Sequence, residues 1–286
     1  MQIGAVLPHN EIGTDPGAMK AYAQGIEALG MTHMLLYDHV LGADPNRPGG
    51  FQGPYDKDIA FHEPFTTFAF IAAVTNKIEM VSNVLILPQR QTALVAKQAA
   101  EVAVLSNNRL RLGVGTGWNK VEYDALGIPF TQRGKRQEEQ IELLRLLWSE
   151  DSLDYTGDYH RVEYASINPR PSKPIPIWFG GQIPKVLSRA AKIGDGWMPL
   201  GGPNAASSEM IEHLKQARTD AGRNWSDFGI QAQAMFRGGD PERYAKHAQG
   251  WRTLGATHLA IRTDSCGYDS VDEHLKSIEA YVQAIS

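Results

Sequence analysis

The sequence predicts a (β/α)₈ TIM barrel, an α/β fold, that occupies residues 1–286 as a single domain. Eight short apolar segments of strand length alternate with segments of helical periodicity, which is the pattern of eight consecutive βα units. A length of 286 residues with 42% hydrophobic residues is sufficient for one large core, and no shift in composition marks a second domain. A doubly wound parallel sheet is the competing architecture, because it shows the same alternation.

The first half of the barrel is predicted from strands that are each followed by a helix. The first helix begins where Asp15 can serve as the N-cap and Pro16 as the first helical residue. A Gly- and Pro-rich insertion at residues 41–58 follows the second strand and is too long for an ordinary connection, so we expect a functional flap. The predicted strands are residues 3–7, 34–37 and 78–85, and the predicted helices are residues 15–29, 64–74 and 91–106.

The second half is predicted in the same way, with a second insertion before the fifth strand. Alternating residues at 151–174 indicate a small hairpin around Gly157. The pair Asp240-Pro241 begins the penultimate helix, and Ser270 with Glu273 forms a capping box at the last one. The predicted strands are residues 110–114, 175–179, 196–198, 230–236 and 258–261, and the predicted helices are residues 134–148, 183–192, 207–221, 241–254 and 270–285.

Composition excludes several classes of function. The net charge is −4 with 21% charged residues, and no basic stripe is present, so we expect no nucleic-acid partner. A single cysteine, Cys266, excludes an internal disulfide and fits a cytoplasmic protein. No run approaches the ~20 apolar residues of a membrane span. The scattered histidines predict no metal site, and no Gly-x-Ser-x-Gly elbow supports a serine nucleophile.

Glycines stand at the ends of two predicted strands. The run Gly113–Gly117 places a glycine at every second position and is followed by Trp118 and Asn119, in a pattern that matches neither GxGxxG nor a phosphate loop. The run leaves the main chain bare for a flat ligand, or it is a tight turn. Gly180-Gly181 precede a helix, so they form a phosphate site at a helix N-terminus or a simple turn.

Titratable residues stand at the ends of the first two strands, on the side where barrels carry their chemistry. Asp38 and His39 form a candidate pair for proton transfer, although an aspartate in this position also caps its own loop. His9 either shares the same mouth or satisfies a local backbone group. Few ionisable side chains and much bare backbone at these strand ends suit a cofactor that supplies the reactive groups.

Residues 62–136, which contain the motif GVGTGWN, and residues 175–199, which contain IWFGG and DGWMP, resemble the bacterial luciferase-like superfamily. Within it, the resemblance is to a subgroup of coenzyme F420-dependent oxidoreductases, and it extends over nearly the whole chain. It implies a TIM barrel that binds F420 or, alternatively, FMN at its C-terminal mouth. It also implies a homodimer, an insertion before the fifth strand and a non-proline cis peptide between Asn83 and Val84, behind the cofactor ring.

The resemblance further implies a role for each candidate residue. Asp38 and His39 stand where F420-dependent relatives keep an active-site pair, with His39 as acid/base and Asp38 orienting it. Trp118 departs from relatives that carry a glutamate there, so it predicts an apolar substrate wall. The implied cofactor-binding residues are Asn83, Val84, Gly115, Thr116, Gly117, Asn119, Gly180, Gly181, Met198 and Pro199.

Three functions are compatible with these residues. F420-dependent hydride transfer to or from a small organic substrate is the preferred one, and an FMNH2-dependent monooxygenase is the alternative. A cofactor-binding protein without turnover is a further alternative, which gains if Asp38 and His39 face away from the pocket. A hydrolytic or isomerase TIM barrel is the remaining alternative, and it differs in predicting no ring-binding groove beside Gly115–Asn119.

Overall fold

The computed structural model, which describes residues 1–286, is a closed barrel of parallel strands surrounded by helices, so the predicted fold class is confirmed. The barrel strands are β1 (Gln2–Val6), β2 (His33–Leu36), β3 (Glu79–Ser82), β4 (Leu85–Ile86), β5 (Leu110–Gly115), β8 (Ile177–Gly180), β9 (Gly196–Met198), β10 (Gly229–Met235) and β11 (His258–Arg262). They follow the order β3-β2-β1-β11-β10-β9-β8-β5, and pairing between β3 and β5 closes the circle.

Nine helices surround the strands, and local capping chemistry sets the start of several of them. The helices are α1 (Pro16–Ala28), α2 (Pro64–Val74), α3 (Thr92–Leu105), α4 (Lys120–Ala125), α5 (Arg133–Ser149), α6 (Pro184–Ile193), α7 (Ala205–Asp220), α8 (Pro241–Thr253) and α9 (Val271–Ile285). The side chains of Asp15, Asp240 and Ser270 accept hydrogen bonds from backbone N–H groups in the first turns of α1, α8 and α9, as predicted.

The structure differs from the sequence prediction at two elements. The predicted third strand is interrupted between Ser82 and Leu85, so β3 pairs with β2 whereas β4 pairs only with β5. The peptide bond between Asn83 and Val84 within this interruption is cis, at the predicted position. Helix α4 was not predicted, because it has only six residues.

Both predicted insertions are present. The segment at residues 41–58 contains no helix or strand and lies over the carboxyl ends of the strands. The second insertion forms an antiparallel hairpin of β6 (Leu153–Thr156) and β7 (Arg161–Ala165), so the hairpin around Gly157 is confirmed.

Two apolar layers lie on either side of the strands. The outward-facing strand residues pack against the helices in a cluster of 55 buried residues. The inward-facing ones form a separate cluster of six, which fills the barrel interior: Val6, Leu35, Val81, Trp178, Met198 and Ala260. The interior is therefore packed, and ligands can enter only at its ends. None of the helices is long and apolar enough to cross a membrane.

Candidate active site

A cavity of about 470 Å³ opens at the carboxyl ends of the barrel strands. This mouth cavity is lined by the ends of β2, β4, β5, β8, β9, β10 and β11 and by Pro54 and Tyr55 of the flap. Twelve of the fourteen predicted site residues line it: Asp38, His39, Asn83, Val84, Gly115, Thr116, Gly117, Trp118, Asn119, Gly180, Gly181 and Met198. A larger groove of about 810 Å³ lies at the opposite end, but barrel chemistry takes place at the carboxyl ends.

Two predicted residues are not part of the mouth cavity. His9 is 3% exposed and packs behind the wall, with its ring against those of Tyr37 and Phe61. Its Nδ1 atom lies 3.3 Å from the carbonyl oxygen of Leu7, so His9 satisfies a local backbone group. Pro199 lines a neighbouring cavity instead. His9 is thus removed from the set of residues that can contact a substrate.

The side chain of Val84 occupies the space beside the glycines. A Cβ atom on Gly115 would lie 2.6 Å from Val84 Cγ2, and one on Gly180 would lie 2.8 Å from Val84 Cγ1. A Cβ on Gly113 would meet the carbonyl oxygen of Ser82 and the sulfur of Met198. Gly115 and Gly180 therefore make room for Val84, and Gly113 makes room for Met198. That the glycines also leave room for a cofactor stays a prediction.

The Asp38 carboxylate is held away from His39. One carboxylate oxygen accepts a hydrogen bond from the Ile86 backbone N–H at 2.9 Å, and the other accepts one from Arg90 at 2.7 Å. Arg90 also contacts Glu63, the N-cap of α2. Asp38 therefore fixes the backbone of β4 on the cavity wall, and the expectation that it orients His39 is wrong.

Glu122 is the residue that holds His39. The His39 Nδ1 atom lies 2.9 Å from Glu122 Oε1, and the same oxygen accepts hydrogen bonds from the N–H groups of Val40 and Leu41. The Glu122 side chain is 1% exposed, and that of His39 is 12% exposed. With Nδ1 bound to Glu122, Nε2 is the ring nitrogen of His39 that has no protein partner.

The charge of Glu122 follows from these contacts. Burial raises the pKa of Glu122. The hydrogen bond and charge of His39 and the hydrogen bonds from the Leu41 and Val40 N–H groups lower the pKa, and together they exceed the effect of burial, so the net shift is downward. Glu122 is therefore a carboxylate near neutral pH. It accepts the Nδ1–H of His39, which leaves Nε2 free to take up a proton.

Sequence reasoning did not identify Glu122, although one local signal was present. Asn119 is the N-cap of α4, and its Oδ1 accepts a hydrogen bond from the Val121 N–H. A glutamate three residues after an asparagine cap is a helix-start signature, so Asn119 and Glu122 indicate α4. The Asn119 amide also donates to the Leu41 carbonyl at 3.3 Å, so it ties α4 to the flap.

An aromatic wall surrounds His39. The rings of Phe61, Tyr55 and Trp118 lie 4.6, 5.3 and 5.7 Å from the imidazole, measured between centroids. Trp118 is 42% exposed and also contacts Phe51 of the flap. The wall joins the flap to the end of β5 and is aromatic beside His39. That Trp118 contacts a substrate stays a prediction.

The amino terminus of α6 faces the opposite side of the cavity. Gly181, Gln182 and Ile183 line the cavity, and no side chain caps the helix. Gly181 has a φ of +120°, which only glycine adopts readily. An uncapped helix start with a neighbouring glycine suits an anion such as a phosphate.

Two buried polar atoms on the cavity wall have no protein partner. These atoms are the Tyr37 hydroxyl oxygen and the Gln233 Oε1. Gln233 Nε2 contacts Asn83 Oδ1 at 3.4 Å, so the amide is oriented beside the cis peptide. Buried polar groups normally have partners, so a polar ligand that fills the cavity would satisfy these atoms.

Comparison with known proteins places the chain in a family. The family model described as luciferase-like monooxygenase matches residues 1–280. An uncharacterised protein of Mycobacterium tuberculosis is 37% identical over 219 residues, which cover 74% of this chain and 75% of that protein. The F420-dependent hydroxymycolic acid dehydrogenase of the same species is 29% identical and covers 89% of this chain and 68% of its own length.

A solved structure shares the whole fold. It is an F420-dependent secondary alcohol dehydrogenase in complex with an F420-acetone adduct, with a TM-score of 0.80 and 16% sequence identity. The match covers 100% of this chain and 99% of that one. At this identity the likeness concerns the fold alone.

Proposed function

The chain belongs to the luciferase-like monooxygenase family, and from that premise we propose that it is an oxidoreductase that binds coenzyme F420 in the mouth cavity. The reaction we propose is the transfer of a hydride to or from a small organic substrate that carries a hydroxyl or carbonyl group. The single observation that carries this proposal is the His39–Glu122 pair at 2.9 Å on the wall of the cavity.

The residues of the mouth cavity fit a tricyclic ring with a phosphate-bearing tail. The volume of about 470 Å³ is in the range of about 300–1,000 Å³ that cofactor sites occupy. Val84 would support one face of the ring, and the unpartnered Gln233 Oε1 and Tyr37 hydroxyl would meet its polar edge. The uncapped start of α6 at Gly181 would hold the phosphate.

F420 bound there would accept or supply the hydride. His39 would manage the proton, because its Nε2 can take a proton from a substrate hydroxyl as the hydride leaves the carbon and can return it in the reverse direction. Glu122 would keep Nδ1 protonated and stabilise the imidazolium that forms. The flap and Trp118 would orient the substrate and exclude water.

An FMNH2-dependent monooxygenase is the second candidate, and the description of the family supports it. The same residues would serve that reaction, with the flap shielding the ring from water. F420 is preferred because the dehydrogenase that covers 89% of this chain is described as F420-dependent. The non-catalytic alternative loses support, because His39 lines the cavity and its Nε2 is free.

A binding titration tests the choice of cofactor. The purified chain is titrated with F420, FMN and FMNH2, and binding is followed by fluorescence. We expect saturable, micromolar binding of F420 and much weaker binding of FMN. Tight binding of FMN or FMNH2 alone would support the monooxygenase, and no binding of any of them would remove the proposal.

A pair of histidine variants tests the proton-transfer role. We expect His39→Ala to reduce turnover of F420 with a panel of secondary alcohols by about 10²-fold or more while the affinity for F420 stays unchanged. His160→Ala is the matched control, since His160 contacts Glu139 at 2.7 Å and neither residue lines the mouth cavity. Full activity of His39→Ala, or equal losses in both variants, would contradict the assignment.

A further inference from the structure

A second cavity, of about 370 Å³, adjoins the mouth cavity. It lies between the carboxyl ends of β9, β10 and β11 and the start of α8. Leu200, Gln233 and Arg262 line both cavities, so these three residues form the boundary between them.

The second cavity is positively charged. Its 13 lining residues include the three arginines Arg237, Arg243 and Arg262 and no aspartate or glutamate. Arg262 is paired with Asp264 at 2.6 Å. The guanidinium groups of Arg237 and Arg243 form no ion pair or hydrogen bond within the chain, whose net charge is −4. Two free cations therefore face a cavity in an acidic protein.

The cavity also contains buried polar atoms without partners. Tyr281 is 1% exposed, and its hydroxyl forms no hydrogen bond in the protein. His247 Nδ1 is likewise buried and unpartnered. Burial lowers the pKa of His247 and the neighbouring Arg243 lowers it further, so the ring is neutral near pH 7 and the arginines supply the charge. A hydroxyl and a guanidinium are both donors to an anion.

The loop that carries Arg237 is held in place. The Tyr244 hydroxyl oxygen accepts a hydrogen bond from the Gly239 N–H at 2.8 Å and contacts the Arg237 N–H at 3.4 Å. The Asp240 side chain caps α8 and accepts a hydrogen bond from the Arg243 N–H. The loop that carries Arg237 is therefore fixed to α8 by the buried Tyr244, and this contact orients the arginine side of the second cavity.

We propose that the second cavity binds an anionic group of the substrate, a carboxylate or a phosphate, while the reacting carbon lies in the mouth cavity beside His39. This proposal rests on the proposed function and specifies its substrate class as organic acids or phosphate esters. Arg237, Arg243 and the Tyr281 hydroxyl are the recognising groups, and Gln233 and Arg262 line the boundary between the two cavities.

The cofactor is the other molecule that carries an anionic group. Gly180 and Gly181, which we assign to the cofactor phosphate, line the mouth cavity and not the second cavity; Gly180 ends β8 and Gly181 follows it. The second cavity begins beyond β9 on the other side of Leu200. A cofactor whose phosphate lies at Gly181 leaves the second cavity to the substrate.

The test uses small anions that need no cofactor. Pyrophosphate, succinate and the neutral control succinamide are titrated into the full chain by calorimetry. We expect saturable binding of the anions and none of succinamide, with affinity reduced about tenfold or more in the double variant Arg237→Gln/Arg243→Gln and reduced in Tyr281→Phe. No saturable binding to the unaltered protein would overturn the proposal.

Matched variants separate this site from general charge effects. Arg161→Gln removes an exposed arginine of the hairpin, whose side chain is 70% exposed, and should leave anion affinity unchanged. Equal weakening in Arg161→Gln and in the double variant would overturn the proposal. Unchanged melting temperatures in the absence of ligand would show that each variant folds.

A second arm identifies the molecule that supplies the anion. F420 and its analogue without phosphate and tail are titrated into the unaltered protein and the double variant. Equal F420 affinity supports a substrate site, whereas an F420-specific loss would assign the cavity to the cofactor tail and overturn the proposal. If neither F420 nor FMN binds the unaltered protein but the anions do, the proposed function fails and the anion site remains.

Discussion

Two histidines of this molecule are each held by a glutamate in the same way. Glu122 accepts from His39 Nδ1 and two backbone N–H groups, and Glu139 accepts from His160 Nδ1 and the N–H groups of Asp158 and Tyr159. Only the first pair lines the mouth cavity. The Nδ1 contacts are therefore the same, but His160 Nε2 also contacts Thr92 Oγ1 at 2.7 Å, whereas His39 Nε2 has no protein partner. The second ring nitrogen and the position in the barrel distinguish a candidate acid/base from a structural pair.

The variant Glu122→Gln should separate charge from hydrogen bonding. The amide oxygen can still accept from His39, but the negative charge that stabilises an imidazolium is lost. We expect kcat to fall between about 10- and 100-fold with cofactor affinity unchanged. Glu139→Gln is the control and should retain full turnover. Steady-state kinetics with F420 measures kcat for each variant. Equal kcat values for Glu122→Gln and Glu139→Gln would contradict the role of the His39–Glu122 pair.

The same variant has a consequence for stability as a function of pH. The folded-state pKa of Glu122 lies below its ordinary value of 4.5, so its stabilising contribution is fully present above about pH 4.5 and is lost as the pH falls through the folded pKa. We expect the difference in melting temperature between the unaltered protein and Glu122→Gln to be largest near pH 7 and to shrink below pH 4.5. A difference that grows on acidification would contradict this sign.

Sequence reasoning identified His39 but not its partner, for a physical reason. Local rules act over a few residues, whereas His39 and Glu122 are 83 residues apart in the chain. Their contact exists only because β2 and the helix after β5 meet at the same end of the barrel. The family resemblance implies Asp38 as the partner of His39, yet the Asp38 carboxylate binds Ile86 and Arg90.

Helix starts and the hairpin, which depend on residues close in sequence, were predicted. The interruption of the third strand, which depends on contacts between strands of the barrel, does not follow from hydrophobic periodicity. The caps at Asp15, Asp240 and Ser270 and the hairpin around Gly157 depend on neighbouring residues, and all four are present. The split of the third strand into β3 and β4 depends on contacts with β5 and β8. An apolar run such as residues 78–85 does not reveal such an interruption.

The fit between Val84 and the glycines can be tested by a double-mutant cycle. Gly115→Ala would place a Cβ 2.6 Å from Val84 Cγ2, so we expect a loss of about 1–3 kcal/mol in the free energy of unfolding and weaker cofactor binding. Adding Val84→Ala removes that methyl group and should recover most of the loss. Urea denaturation measures each term.

The glycine cycle has an internal control. A Cβ on Gly202 has only His247 Nε2 near it, at 3.9 Å, so Gly202→Ala should change the stability little. If Gly115→Ala costs no more than Gly202→Ala, or if the double variant is no more stable than Gly115→Ala, the glycines serve some other purpose than accommodating Val84.

Helix α4 is short and depends on its cap. Asn119 bonds the Val121 N–H through Oδ1 and the Leu41 carbonyl through Nδ2. We expect Asn119→Ala to cost about 0.5–2 kcal/mol of stability, and Asn119→Asp to retain the cap but lose the donor to the flap. Limited proteolysis within residues 41–58 should therefore accelerate in both variants, whereas only the alanine variant unfolds at lower urea. Identical urea midpoints for the two would contradict the capping role.

For the molecule as a whole, the number of strands follows from the sequence, whereas the composition of the mouth follows from closure of the barrel. Strand β1 pairs with both β2 and β11, so the first and last strands of the chain are neighbours. Closure brings Asp38, Val84, Gly180 and Arg262 to one cavity. Alternation of strands and helices predicts such a meeting in general, but not which side chains will point inward.

Because the mouth cavity is built from seven strands, a bound cofactor should stabilise the barrel as one unit. At a concentration 100-fold above its Kd, a ligand adds about 2.7 kcal/mol, which corresponds to about 5 °C in melting temperature for a domain of this size. We expect F420 to shift the transition seen by far-UV circular dichroism and that seen by tryptophan fluorescence equally. Gly180→Leu should abolish the shift, because its side chain would displace Val84, and His160→Ala should retain it. A shift in one signal only would mean that the ligand orders the mouth locally and that the barrel does not unfold as a single cooperative unit.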